Sequence, residues 1–305
     1  MAEQSSPNPR ERPAAFLNGV FGLLWRGKGR FGPEFRLGEG ERGMVTERSE
    51  GARQCRLVPP EFLANLVDQN PFPDPRQANS DGLLAYGGGL EPERLLAAYA
   101  QGVFPWYESS PILWYSPDPR AVLFLEDLRI NRSLAKSLRR RRYALTMDSD
   151  FRGVIEACAQ TPRPGQSGTW INEEMIEAYC ALHALGFAHS VEVRLEGELV
   201  GGIYGLSLGA AFFGESMFSR RSDASKVALV ALVERLRAWG FHVLDCQAHT
   251  PNTEAMGAVL WPREAFLELL AVALEAPTRC GTWELAEPPQ NRRPGESHGG
   301  GADGE

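Results

Sequence analysis

Three segments of alternating apolar and polar residues, joined by short glycine turns, constrain the fold of this chain most strongly. Ser190–Leu195 and Leu199–Leu206 flank the turn Glu196-Gly197-Glu198, and Ala210–Ser216 follows a second turn at Gly209. Strands joined by such short turns pair antiparallel in chain order. The pattern therefore predicts a three-stranded antiparallel meander in the second half of the chain.

Helices and one further strand are predicted on both sides of the meander from capping residues, apolar spacing and glycine stops. The predicted elements are a helix from Pro92 to a stop at Gly102, a basic helix capped by Ser133 and running through Arg142, a helix over Phe151–Ala159, a helix capped by Asn172 and stopped by Gly186, a long helix capped by Ser222 or Asp223 and ending at Gly240, a strand over Phe241–Gln247 and a helix over Arg263–Leu274. This mixture of elements belongs to the α+β class.

Composition divides the 305 residues into two polar ends and a folded centre. Residues 1–54 and 277–305 lack a sustained apolar period and are predicted to be disordered tails. Residues 55–118, dense in proline, glycine and aromatics, are predicted to form a small N-terminal domain with little regular structure, and 119–276 the larger domain. A meander followed by a helix and another strand resembles the GNAT acyltransferase topology, a likeness of fold that fixes no reaction by itself.

The cysteines and histidines give no pattern for a disulfide framework or a metal site. The cysteines number five, an odd count without a C-x-x-C pair, and the five histidines show no ligand spacing. This usage suits a reducing cytoplasm. No apolar run approaches the ~20 residues of a membrane span. We therefore expect a cytoplasmic protein that binds no metal and no membrane, and we expect a monomer.

Two of the predicted strands carry polar groups suited to chemistry. Asp245 and Gln247 lie two residues apart in one strand and are expected on the same face, where they could position a nucleophilic amine. A solvent-facing strand end is the alternative for this pair. Glu215 lies among aromatic and apolar residues, and burying an unpaired carboxylate is costly. Its position favours a pocket, although a salt bridge to Arg220 would also explain it.

Aromatic residues cluster around proline and glycine turns. Trp106 follows Phe104-Pro105, and Trp170 follows Gly168-Thr169. Each is more often a core residue than a ligand platform. Tryptophans at such turns can also present flat surfaces on which nucleic-acid bases stack.

The chain has a formal net charge of -7, yet one stretch is uniformly basic. A solvated helix face usually mixes charges of both signs, so this concentration favours a contact with a phosphate backbone over a merely soluble helix end. The basic residues, with no acidic residue between them, are Arg129, Arg132, Lys136, Arg139, Arg140, Arg141 and Arg142.

Many ordered segments between about residues 57 and 275 resemble one family, the leucyl/phenylalanyl-tRNA–protein transferases of the bacterial N-end rule pathway. None of these segments is a generic motif. They are Gly82-Leu-Leu-Ala-Tyr-Gly-Gly, Tyr99, Gly102-Val-Phe-Pro-Trp106, Ile112-Leu-Trp-Tyr-Ser-Pro-Asp-Pro-Arg120, Gly168-Thr-Trp-Ile171, Glu177-Ala-Tyr179, His189-Ser190-Val-Glu192, Gly214-Glu-Ser-Met-Phe-Ser-Arg220, Ala224-Ser-Lys226, Asp245-Cys-Gln247, Met256-Gly-Ala258 and Pro262-Arg263.

The resemblance implies transfer of Leu or Phe, and also Met, from aminoacyl-tRNA (Leu-tRNA or Phe-tRNA) to proteins that begin with Arg or Lys, which marks them for degradation. It implies no metal or coenzyme and a GNAT-like C-terminal domain. Asp245, Gln247 and Glu215 match the family's catalytic residues. The positions that match its substrate-binding residues are Tyr99, Trp106, Trp170, Tyr179, Ile203, Phe212, Met217, Ser219 and Leu244.

Two other functions compete with this interpretation. An acyl-CoA-dependent N-acyltransferase of the same fold would need a glycine-rich loop before the long helix, and Arg220–Lys226 contains no glycine. A tRNA-binding module without catalysis would tolerate the loss of the polar residues at the site, all of which are present. The chain also departs from the family at Ile203, a pocket position where methionine is common.

Overall fold

The computed structural model describes residues 56–162 and 169–285. The expectations for residues 1–54, and for the tail from 286 onward, lie outside this part of the chain. The strands are β1 Arg56–Val58, β2 Leu83–Tyr86, β3 Phe104–Pro105, β4 Leu113–Tyr115, β5 Arg120–Phe124, β6 Ala144–Met147, β7 Ala188–Leu195, β8 Glu198–Leu208, β9 Ala211–Ser219, β10 Val243–Gln247, β11 Val259–Trp261 and β12 Thr278–Cys280. The α-helices are α1 Pro60–Gln69, α2 Pro92–Ala100, α3 Arg132–Arg140, α4 Phe151–Ala159, α5 Glu173–Leu185, α6 Ala224–Ala238, α7 Pro251–Ala255 and α8 Arg263–Leu274.

A seven-stranded sheet in the order β11-β5-β10-β9-β8-β7-β6 forms the centre of the fold. β7, β8 and β9 pair antiparallel in chain order, which confirms the predicted meander. β9 and β10 pair in parallel, and α6 makes the crossover between them. The α+β class predicted from the sequence is confirmed.

Each face of this sheet packs against its own hydrophobic core. Along β9, Phe213 joins a core that includes residues of α2, α5 and α8, whereas Phe212 joins a second core built largely on α6. Along β10, Val243 and Leu244 divide in the same way. Because successive side chains of a strand point to opposite faces, the two cores lie on opposite sides of the sheet.

A second, three-stranded sheet in the order β2-β4-β3 lies in the N-terminal part of the described chain. This sheet and the ten-residue helix α1 give residues 56–118 more regular structure than the sequence predicts. Strands of two to four residues are too short to show an alternating pattern. Trp114 of β4 belongs to the same core as Phe213 and Phe266, and the division at residue 118 stays a prediction.

The prediction that a disordered C-terminal tail begins at residue 277 is wrong, because the structure is ordered beyond that point. β12 pairs antiparallel with β1, and Trp283 is only 1% exposed. The indole of Trp283 stacks on His189 at a centroid distance of 3.6 Å, and its backbone N–H donates to Asp148 at 2.7 Å. The polar composition that follows concealed this short strand.

Some of the predicted helix ends and caps are confirmed, and others are wrong. α4 and α8 have the predicted bounds, and Asn172 caps α5 through the N–H of Met175. The basic helix is capped by Asn131 instead of Ser133, because the Asn131 side chain accepts from Leu134. Asp223 precedes α6 as predicted but makes no side-chain cap. Among the described residues, no helix is long and apolar enough to cross a membrane.

Replacing Trp283 with alanine is expected to lower the free energy of unfolding by about 3–5 kcal/mol, because it leaves a cavity beneath His189. Trp106→Ala is the matched control, since Trp106 is 39% exposed and its truncation opens little interior space. Urea unfolding measures both variants. Equal stability of the Trp283→Ala variant and the wild type would contradict the packed position of the segment.

Candidate active site

Glu215 lies at a β-bulge in the middle of β9. Gly214 and Ser216 pair with the adjacent residues Gly205 and Tyr204 of β8, so Glu215 is the extra residue. Its side chain is buried. The bulge directs this carboxyl group toward helices α2 and α5, where it meets the tyrosines that the resemblance selects.

Three donors hold the carboxylate of Glu215. The hydroxyl of Tyr99, from α2, donates to Oε1 at 2.7 Å, and that of Tyr179, from α5, donates to Oε2 at 3.2 Å. The side-chain amide of Gln247 donates to Oε1 at 2.7 Å. The two hydroxyls also contact each other. The four groups come from four different secondary-structure elements, and all are buried.

Burial raises the pKa of Glu215 to about 7. The three hydrogen bonds oppose this shift by stabilising the charged form, and the nearby charge of Asp245 adds to it. The pKa values of both Tyr99 and Tyr179 are raised well above the ordinary range, chiefly by burial, so the hydroxyls stay protonated as donors. Glu215 can therefore exchange a proton near neutral pH.

The alternative partner for Glu215, Arg220, lies elsewhere. Arg220 is exposed, and its guanidinium donates to the carbonyl of Leu199 at 3.4 Å. Within residues 56–162 and 169–285, no cation forms an ion pair with Glu215. The hydrogen bonds from neutral donors thus replace a counter-charge at this carboxylate.

Asp245 forms a fully buried ion pair with Arg120 of β5. Nε of Arg120 donates to Oδ1 at 2.9 Å and Nη2 donates to Oδ2 at 2.6 Å. Nη1 donates to the carbonyl of Gly102 at 3.1 Å, and the guanidinium lies between the rings of Phe104 and Phe266. Both oxygens of Asp245 are therefore committed to a rigid bidentate contact.

Gln247 connects the two carboxylates. Its backbone N–H donates to Oδ1 of Asp245 at 2.8 Å while its side chain donates to Glu215. The backbone φ of Gln247 is 60°, and the register of β10 against β5 shifts between Asp245 and Gln247. A bulge with a left-handed residue, and not simple strand alternation, aims the amide at Glu215.

Arg120 is the site residue that sequence reasoning missed. It ends the segment from Ile112 to Arg120 that resembles the family, but the sequence gives it no role. The available indication was a charged residue at the start of the apolar run Arg120-Ala-Val-Leu-Phe124, because an arginine inside a buried strand needs a partner. The identity of that partner, Asp245, depends on the pairing of β5 with β10, which the sequence does not reveal.

The apolar residues predicted to bind the substrate side chain lie on the other face of the sheet. Ile203, Phe212 and Leu244 belong to the core on α6, and Met217 packs against it. Ile203 pairs with Met217 across β8 and β9, and Leu244 pairs with Phe212 across β9 and β10. Ser219 is exposed, and its hydroxyl accepts from the N–H of Ser225 at the start of α6. These residues form a patch separate from Tyr99 and Tyr179.

Trp106 and Trp170 line one small cavity of about 210 Å³. The other lining residues are Tyr107, Glu108, Leu113 and Tyr115. Trp106 lies against Tyr115 at a centroid distance of 5.5 Å, and the hydroxyl of Tyr107 donates to Glu174. The cavity is thus a mostly aromatic recess at the surface.

All the predicted basic residues from Arg129 to Arg142 are exposed. In the part of the chain that the structure describes, none of them pairs with an acidic side chain within 4.0 Å. Arg141 also borders a larger cavity of about 510 Å³ between α3 and α6, which contains none of the predicted catalytic residues. No cluster of three potential metal ligands is present among the described residues.

Replacing Arg120 with methionine is expected to cost about 3–5 kcal/mol of unfolding free energy, because it leaves the carboxylate of Asp245 buried without its cation. Combining it with Asp245→Leu should restore much of that loss. Arg152→Met, which breaks an exposed pair with Glu177, serves as control and should change stability far less, because water screens this pair. Simple additivity of the two buried substitutions would refute the coupling.

Comparison with known proteins is consistent with the resemblance seen in the sequence. Residues 122–271 match the family model of leucyl/phenylalanyl-tRNA protein transferase, and residues 88–118 match the model of its N-terminal domain. A leucyl/phenylalanyl-tRNA–protein transferase of Myxococcus xanthus is 58% identical over 221 residues, covering 72% of this chain and 94% of that protein. A protein of the same name from Maridesulfovibrio salexigens is 53% identical over 224 residues, with coverage of 73% and 93%.

A solved structure, described as that of L-PGS from Bacillus licheniformis, aligns over 78% of this chain and 94% of its own, at 10% identity and a TM-score of 0.35. A likeness this weak adds nothing to the description of the fold. The sequence matches are much stronger evidence, because they combine high identity with coverage of nearly the whole length of the relatives. The chain belongs to the leucyl/phenylalanyl-tRNA–protein transferase family.

Proposed function

We propose that this protein transfers Leu or Phe, and also Met, from aminoacyl-tRNA to the α-amine of proteins that begin with Arg or Lys, marking them for N-end rule degradation. The family relationship supports the reaction class. The observation that carries the proposal is the buried Glu215 carboxylate, with a pKa of about 7 and three oriented donors. The proposal includes a cytoplasmic monomer that uses no metal or coenzyme.

The reaction is the aminolysis of an ester. The neutral α-amine attacks the carbonyl carbon of the aminoacyl ester, a C–N bond forms, and the C–O bond to the terminal ribose breaks. The amine loses a proton and the leaving ribose hydroxyl gains one. Because an α-amine has a pKa of about 7.7–8.0, a weak base suffices to keep it neutral. Positioning of the two reactants therefore supplies most of the acceleration.

Glu215 is suited to take the proton that the amine releases. Its pKa near 7 lies close to the operating pH, where a general base is most effective. The side-chain amide of Gln247 holds the Glu215 carboxylate in position by a hydrogen bond, and its dipole lies beside that carboxylate. Asp245 acts as a positioning residue, because Arg120 and the N–H of Gln247 occupy its oxygens.

The transferred side chain would enter between β9 and β10, where the two strands part. Their ladder ends at the pair Asp245–Phe213, whereas β9 continues through Ser219. A gap between the strands at Glu215 would lead from the carboxylate to the apolar residues on the α6 side. This parting of two parallel strands after a meander supports the GNAT-like assignment of the fold.

The apolar residues on the α6 side suit an apolar side chain that is unbranched at Cβ. Ile203, Phe212 and Leu244 are buried, and Met217 adds a flexible thioether. Burying a Leu or Phe side chain is worth about 1.5–3 kcal/mol. Since one misplaced methyl group changes binding by only about 1–3 kcal/mol, the rejection of β-branched residues must come from shape.

Two further surfaces would bind the tRNA. The aromatic cavity of Trp106 and Trp170 suits the terminal adenosine, because unpaired bases stack on aromatic side chains. The exposed basic residues of α3 and its flanks suit the phosphates of the tRNA body. Both surfaces are expected from the family resemblance.

The acyl-CoA alternative lacks support at the start of α6. A pyrophosphate at that position would meet Asp223, whose carboxylate accepts from Ser137 at 2.6 Å. A second negative charge at the helix N-terminus would repel the ligand that such an enzyme needs to bind there.

The experiment that tests the proposal combines the protein with radiolabelled Leu-tRNA and a peptide that begins with Arg. We expect label in the peptide, and none in a matched peptide that begins with Glu. Glu215→Gln keeps the shape of the side chain and should lower the rate of transfer about 100- to 10,000-fold while it retains tRNA binding. Glu264→Gln, the same substitution at a surface carboxylate that pairs with Arg76, serves as control. Retention of tRNA without transfer would indicate a binding module, and transfer only from acyl-CoA would indicate the competing enzyme.

Removing the Tyr99 hydroxyl is expected to shift the acidic limb of the pH–kcat/KM profile to higher pH. Glu215 must be ionised to accept a proton, so activity falls as the pH drops through its pKa of about 7. The Tyr99 hydrogen bond lowers this pKa, and Tyr99→Phe should therefore raise it. The substrate amine is identical in both profiles, which isolates the effect of Glu215. An unchanged limb would argue against Glu215 as the base.

Alanine at Arg139, Arg140, Arg141 and Arg142 is expected to weaken tRNA binding and to flatten its salt dependence. Each lost phosphate contact lowers the slope of log K against log salt by about 0.7–0.9. Filter binding over a range of salt concentrations measures the slope. Arg152→Ala provides a control away from this stretch, and an unchanged slope in the four-residue variant would place the tRNA contact elsewhere.

A further inference from the structure

One face of the three-stranded sheet carries a row of three side chains, one from β2, one from β4 and one from the residue that follows β3. Tyr86 of β2 pairs directly with Leu113 of β4. On the other side of β4, the N–H of Trp106 donates to the carbonyl of Leu113 at 2.9 Å, continuing the register of β3. Directly paired residues point to the same face. Tyr86, Leu113 and Trp106 therefore form one row.

This row extends the aromatic cavity beyond its edge. Leu113, Trp106 and Tyr115 line the cavity, and Tyr115 has the same facing as Leu113 in β4. With strands about 4.8 Å apart, Tyr86 is anchored roughly 10 Å from Trp106, on the far side of Leu113. Two consecutive bases of a splayed single strand can bridge that distance.

The backbone next to Tyr86 is fixed by hydrogen bonds, whereas the Tyr86 ring is exposed. Gly87 donates its N–H to Ile112 at 2.7 Å and accepts from the indole of Trp114 at 2.9 Å, so the end of β2 is fixed. Tyr86 is 78% exposed, the highest value among the exposed large apolar side chains. Its ring makes no hydrogen bond or ring contact with the rest of the described chain. Packing gives no reason for a large aromatic residue here.

We propose that Tyr86 stacks on the base of the nucleotide that precedes the terminal adenosine of the tRNA. The proposal rests on the function proposed above and extends its substrate contact by one nucleotide. Base–aromatic stacking needs an accessible ring face and tolerates any base. The continuity of Tyr86 with the cavity favours a neighbouring base over a contact with the acceptor protein.

Binding of two small probes separates the second nucleotide from the first. Cytidylyl-(3′,5′)-adenosine and adenosine 5′-phosphate share the adenosine and its phosphate, and tryptophan fluorescence reports the binding of each. We expect the wild type to bind the dinucleotide more tightly. Tyr86→Ala should weaken dinucleotide binding at least about fivefold and leave the mononucleotide unchanged. Tyr86→Phe keeps the ring and should behave as the wild type.

Transfer assays complete the test. Tyr86→Ala should raise KM for Leu-tRNA and leave KM for leucyl-adenosine unchanged. Equal binding of both probes by the wild type, or equal losses for both in the alanine variant, would overturn the proposal. A raised KM for the acceptor peptide alone would also overturn it, by assigning Tyr86 to the protein substrate. Absence of transfer by the wild type would refute the proposed function, while the binding comparison still decides the position of the second base.

Discussion

Burial of two carboxylates beside each other is the constraint on which this site depends. Asp245 is neutralised by Arg120, whose guanidinium also fills the space between two aromatic rings. Glu215 has no cation among the described residues and is stabilised by neutral donors, which leaves its pKa near 7. The two carboxylates thus have different partners, a cation at Asp245 and neutral donors at Glu215. In the function proposed above, this difference in partners leaves proton exchange to Glu215 and positioning to Asp245.

The backbone enforces this division through two bulges. The bulge in β9 turns Glu215 toward the tyrosines, and the irregular end of β10 turns Gln247 toward Glu215. Bulges redirect a side chain by bending and twisting the strand locally. The β9–β10 ladder ends at the pair Asp245–Phe213, next to both irregularities.

Much of this architecture could be predicted from the sequence, because the relevant patterns are local. Alternation and glycine turns identified the meander, and helix caps such as Asn172 identified helix starts. The small sheet was missed because its strands are too short to show a period. The Arg120–Asp245 pair was missed because it joins residues 125 positions apart through sheet pairing. The resemblance selected Glu215, Tyr99 and Tyr179, and the structure shows that they touch.

The aromatic surface of the small sheet completes the account of the substrate. In the function proposed above, the ester reaches Glu215 while the bases of the single strand are held in the recess of Trp106 and Trp170. The family relationship and the geometry thus agree on a reaction between a nucleic-acid-bound ester and a protein amine. Within this account, all steps of proton transfer depend on a single carboxyl group.

Direct titration of Glu215 tests this dependence most clearly. Infrared difference spectra between the wild type and Glu215→Gln, recorded across pH, separate the protonated carboxyl group from the carboxylate. The account predicts a midpoint near 7, with the protonated form dominant below it. A midpoint close to the ordinary value of 4.5 would mean that Glu215 is permanently charged at neutral pH, and it would contradict its assignment as the proton acceptor.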